Sequence, residues 1–170
     1  MGPGGASAAI TLILTLKPAE TVSPDAVVVR CSALRTTTDC RRAYLLTQET
    51  LPDARRIFSR KRLFLLGELE LAAECRKCIA QGESAAEEQT LPLSVLQTDK
   101  EELDLAGTLC TFLLDGELSV TRTAELLYLH KNTVKYRLQR ISDLLGFRPG
   151  KMPESMQLYR STAIYRLLRS

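Results

Sequence analysis

The sequence lacks an apolar run long enough to cross a bilayer. Its longest, Ala8 to Leu16, is interrupted by Thr11 and Thr15, whereas a membrane helix needs about 20 residues. The opening residues, MGPGGASAA, carry no basic segment, so no secretory signal is expected and a cytoplasmic protein is. Aromatic residues make up only 5% of the chain, too few for the basic and aromatic platform on which single-stranded nucleic acid stacks. There is one histidine, His130, and one CxxC, Cys75-Arg76-Lys77-Cys78. A structural zinc site needs four ligands, so no metal and no cofactor is expected. The helix-like context LELAAECRKCIAQG instead suits Cys75 and Cys78 as small apolar fillers on one helical face. Gly2, Gly4 and Gly5 are not followed by Lys-Ser or Lys-Thr, which excludes a phosphate-cradling loop. No serine or cysteine stands in a recognisable nucleophilic arrangement with His130, and no catalytic residue is assigned.

What is present is an ordinary globular composition, 45% hydrophobic and 25% charged over 170 residues, with an uneven distribution of charge. Residues 1–115 carry 13 basic and 16 acidic side chains, and residues 116–170 carry 10 basic and 4 acidic. A net charge of +3 therefore hides a basic terminal third on a mildly acidic body, the footprint of a polyanion binder.

The expected fold class is α+β, a small mixed α/β portion over residues 1–90 followed by an all-helical portion over 91–170. AITLILTL and DAVVVRCS are β-branched, apolar and strand-like. Residues 37–50 read as a helix, with a break at Leu51-Pro52-Asp53 and Asp53 as a possible cap. RLFLL (62–66) reads as a strand and residues 67–82 as a helix. ESAAEEQT (83–90), acidic and short of large apolar residues, reads as a linker or loop, and LPLSVLQTD as an irregular connection. From about Lys100 the pattern is helical, punctuated at Asp115-Gly116, Leu129-His130, Gly146 to Gly150 and Pro153.

Residues 119–145, SVTRTAELLYLHKNTVKYRLQRISDLL, carry the chemistry. Ser119 is a good N-cap for a short helix with Val120, Ala124 and Leu127 on one face. A second helix begins near Lys131, with Val134, Leu138, Ile141 and Leu145 spaced four, three and four apart. Its other faces hold Asn132, Thr133, Lys135, Tyr136, Arg137 and Arg140. Two short helices in close succession, the second amphipathic and basic, are the layout of a helix-turn-helix. Ala124 lets the axes approach and Val134 fills the gap. Such turns often place glycine four residues after that alanine. Tyr128 stands there, so a turn differing in detail is expected.

Bound to double-stranded DNA, the second helix offers Asn132 to adenine and Lys135, Arg137 or Arg140 to guanine or phosphate. Thr133 and Tyr136 suit a phosphate or a thymine methyl. His130 suits a cap or a phosphate. Ser119, Thr121, Arg122 and Lys131 complete the expected contact set at the two helix starts. Because one such helix reads a short half-site, a homodimer is expected.

The run TAELLYLHKNTVKYRLQRISDLLG resembles the C-terminal helix-turn-helix of the PucR/CdaR family of bacterial transcriptional regulators. The likeness rests on His130, Asn132, Thr133, Val134, Tyr136, Arg137 and Leu138, then Ile141 and Leu144-Leu145-Gly146. Leu105, Thr108 and Leu109 resemble the family's preceding helix, and ESMQLYRSTAIYRLL its last; the two-helix layout also resembles the Fis type. Residues 32–69 resemble, more weakly, the end of the family's divergent GGDEF-like domain. No GG[DE]EF sequence is present, so the resemblance implies neither cyclase activity nor a nucleotide site. It implies a DNA-binding regulator, a shortened member or a C-terminal portion of one, with an effector that the residues do not identify. The competing expectation is a regulatory interaction or dimerisation protein that lacks a sensor and does not bind DNA productively.

Overall fold

The computed structural model describes residues 27–31, 34–97 and 103–169. The strand expected over AITLILTL lies outside them. Among the described residues the protein is mostly helical, with one two-stranded sheet. The elements are β1 (Val28–Arg30), α1 (Thr37–Ile57), β2 (Leu63–Leu65), α2 (Leu66–Ala80), α3 (Glu83–Gln97), α4 (Leu105–Cys110), α5 (Val120–Leu127), α6 (Lys131–Leu145) and α7 (Glu154–Arg169). A π-helical turn, Thr111–Asp115, continues α4.

β1 and β2 pair in parallel, with Val28 opposite Leu63, Val29 opposite Phe64 and Arg30 opposite Leu65. Parallel neighbours need a crossover, and α1 provides it. Its start is fixed by a reciprocal cap: the Asp39 N–H donates to Thr36 Oγ1 (3.1 Å), and the Thr36 N–H donates to Asp39 Oδ2 (2.9 Å). The Arg35 N–H, which also donates to Asp39 Oδ2 (3.0 Å), together with the Thr36 bonds holds the Asp39 carboxyl below the usual carboxylate range.

α1 does not break at Leu51-Pro52-Asp53, and the expectation of a helix ending at residue 50 is corrected. Proline in a helix interior costs about 3 kcal/mol through its missing N–H and ring clash. Here the buried stripe Ala43, Thr47, Thr50, Ala54 and Ile57 runs through it at spacings of four, three, four and three. Burial on both sides of Pro52 outweighs that local cost. Asp53 caps nothing; its Oδ2 accepts from Arg76 Nε of α2 at 2.6 Å.

Residues 83–90 are likewise not a loop, and LPLSVLQ is not irregular: together they form α3, with Pro92 inside it. The stripe that makes α3 a helix is Ala86, Leu93 and Leu96. The small Ala86 and the Thr90 hydroxyl, which donates back to Ala86 O (3.0 Å), occupy positions where larger apolar residues would have signalled the period.

Two clusters of buried side chains form the core. One gathers Ala54, Ile57, Phe58, Phe64, Leu69, Ala72, Cys75 and Cys78 with Ala86, Cys110, Leu114, Ala163, Ile164 and Leu167. The other gathers Leu93, Leu96, Leu105, Leu109, Phe112, Leu113, Ile141 and Leu158. α3 and α7 contribute to both. Cys75 and Cys78 pack as apolar fillers, and burial pushes the Cys75 thiol up to about 12. Tyr159 and Tyr165 pack against both clusters, Tyr159 with its ring 6.5 Å from Phe58.

A buried ion pair joins the ends of several elements. Arg166 of α7 donates to Asp115 Oδ2 (2.6 Å) and to the carbonyl of Ile57 (2.7 Å). The Asp115 side chain is 1% exposed. Its other oxygen accepts from the Arg60 N–H (3.4 Å), and its main-chain carbonyl accepts from Arg122 Nε of α5 (3.3 Å). This residue therefore ties α1, α5 and α7 to the π-helical turn.

Candidate nucleic-acid interface

α5 begins where the sequence places its cap: Ser119 Oγ accepts from the Arg122 N–H (3.3 Å). Behind it, Thr123 and Ala124 are buried. The helix closes with the Leu129 N–H donating to Ala124 O (2.9 Å) and the Tyr128 N–H donating to Glu125 O (3.3 Å). These are the two bonds of a Schellman close, which requires one residue in the left-handed region. Tyr128 supplies it, at φ 54° and ψ 39°. The turn therefore keeps the backbone that glycine favours, and the expectation of a different turn is corrected. The left-handed conformation costs an L-residue about 1–2 kcal/mol, and it is over-determined here by burial of Ala124 on one side and Val134 on the other.

α6 starts at Lys131 as expected. His130 is its N-cap, with Nδ1 accepting from the Asn132 N–H (3.2 Å). Val134 and Ile141 are fully buried, and Leu138 and Leu145 half-buried, so the apolar stripe faces the body as its spacing predicts. Gly146, at φ 77°, ends the helix.

The expected contact residues divide into two groups. Lys131, Asn132, Lys135 and Tyr136 are exposed along the first half of α6; Thr121 and Arg122 are exposed at the start of α5, and His130 at the turn. Ser119, Thr133 and Arg140 are half-buried. Arg137 turns toward α4, where its guanidinium donates to Thr108 Oγ1 (3.0 Å), while the Thr108 hydroxyl donates to Asp104 O (2.6 Å). Its Nε is buried with no hydrogen-bond partner among the described residues. Arg122 is likewise engaged by Asp115 and, at 3.9 Å, by Glu117. Arg137 and Arg122 thus brace the unit against the body. The sequence carried one signal of this, a threonine at position 108 inside the apolar run LAGTLCTFLL, fully buried in the fold.

Two short helices with a left-handed closing residue, the second buried along one stripe and polar along the other, define a helix-turn-helix unit. Residues 105–164 match the family model of the PucR C-terminal helix-turn-helix domain, and this part of the chain is similar to it. No curated protein and no solved structure matches the chain. No helix among the described residues is long and apolar enough to cross a membrane.

Proposed function

We propose that the protein is a sequence-specific regulator of transcription that binds double-stranded DNA as a homodimer in the cytoplasm, with α6 in the major groove. The observation that carries this is the division of α6. Val134 and Ile141 are fully buried, while Lys131, Asn132, Lys135 and Tyr136 present an exposed polar row over the first turns. Recognition helices read base edges with that end. Asn132 is the candidate for a bidentate pair with adenine, and Lys131 and Lys135 for guanine or phosphate. The match of residues 105–164 to a regulator's DNA-binding domain supports the same reading. On the weaker upstream resemblance, β1, α1 and β2 belong to a divergent GGDEF-like region.

The test is selection of bound sequences from random duplex DNA, followed by anisotropy titrations across salt. Lys131 and Lys135 together give a log–log slope of about −2 per protomer, steeper by about one for each further cation that meets a phosphate. Replacing Asn132 with alanine should cost about 1–3 kcal/mol on the selected sequence and little on others. The selected sites should be two-fold symmetric. Absent or salt-insensitive binding would sink the proposal.

A further inference from the structure

The turn between α5 and α6 places a large aromatic side chain at a position whose backbone favours glycine. Tyr128 sits at φ 54°, where glycine costs nothing and an L side chain costs about 1–2 kcal/mol. In return the ring gains almost no burial, being 89% exposed. Backbone strain of this kind clusters at binding sites, which makes the exposed ring it carries a candidate contact. The strain also has a geometric effect, since the Schellman close fixes the Cα–Cβ direction and leaves only two side-chain torsions to order. Two residues further on, His130 caps α6, and the exposed Lys131 and Asn132 follow. Tyr128 therefore stands at the end of the unit that approaches DNA in the reading proposed above, on which this inference rests.

We infer that the Tyr128 hydroxyl donates a hydrogen bond to a backbone phosphate at the edge of the groove that α6 enters. A tyrosine hydroxyl is a suitable phosphate donor, and a neutral donor adds affinity without displacing a cation. The bond would set how deeply the first turn of α6 descends, while leaving the choice of base to Asn132 and its neighbours.

The experiment compares the parent protein with Tyr128→Phe and Tyr128→Gly on a random-sequence duplex and on a duplex selected by the parent. Y128F should bind both duplexes about tenfold more weakly, the scale of a hydrogen bond to a charged group, with the salt slope unchanged. Y128G should bind as weakly as Y128F, yet melt a few degrees higher, because the backbone strain is gone. Opposite signs for affinity and stability separate a contact from a fold defect. Parent-like binding by either variant would overturn the inference, and so would a loss confined to the selected sequence or a lower melting point for Y128G. If the parent binds no duplex, the DNA-binding reading falls together with this one. If the parent binds and both variants bind equally well, this inference alone falls.

Discussion

Replacing Arg166 with methionine tests whether the Asp115 junction holds the fold together. The guanidinium reaches Asp115 Oδ2 at 2.6 Å and the Ile57 carbonyl at 2.7 Å, and the two side chains are 1% and 17% exposed. With methionine in place, a buried carboxylate keeps, among the described residues, the long bond from the Arg60 N–H, and a carbonyl at the end of α1 loses the Arg166 donor. Removing one partner of a buried pair typically costs about 3–5 kcal/mol, mostly from the charge left behind. With a urea dependence of about 2 kcal/mol per molar, the unfolding midpoint should fall by about 1.5–2.5 M. The assay is urea titration followed by circular dichroism, with the slope compared between variants. A second variant, Arg166→Met with Asp115→Asn, removes the stranded charge and should recover part of the loss. Because the pair is buried, the difference should persist between 0.1 and 1 M salt. A midpoint shift below about 0.5 M, or a double variant no more stable than R166M, would refute the account.

Pro52→Ala should raise stability by about 1–3 kcal/mol, since alanine restores the N–H that an interior helical position needs; an unchanged urea midpoint would mean that α1 does not continue through residue 52. The Cys75 and Cys110 thiols, pushed up to about 12 and about 11 chiefly by burial, should resist alkylation until the chain unfolds. In the unfolded chain these thiols ionise near their ordinary 9.0. The stability they contribute is therefore present below pH 9 and fades as pH climbs toward 11–12; rapid labelling of both in native buffer would refute this.

The second half of the fold was more legible in the sequence than the first. Ser119, Gly146 and the stripe from Val134 to Leu145 specify α5, the turn and α6 through contacts only a few residues apart. A motif spanning His130 to Leu138 marks the same place. Pro52 and Pro92 both sit inside helices for one shared reason. Each is a strong local breaker overruled by burial of its helix against partners distant in sequence, Ile57 beside Phe64 and Leu69, and Leu93 beside Leu105 and Leu158. α3 was hidden further because Ala86 carries little hydrophobic signal. In the interface, the sequence indicates which residues are polar on α6 but not which way each one turns. Arg137 and Lys135 look equivalent as letters. Only the fold brings Thr108, 29 positions away, against the first and leaves the second in solvent. Tyr128 reads in the sequence as an irregular turn residue, and its torsion and exposure are visible only in the fold.

α7 supplies Ala163, Ile164 and Leu167 to one buried cluster and Leu158 to the other. Neither cluster is complete without that helix. Without α7, the apolar faces of α1 and α2 lack the Ala163, Ile164 and Leu167 side chains that complete their cluster. Closing of the core over α1 and α2 is thus coupled to a segment far from them along the chain, so the two clusters share one cooperative fate.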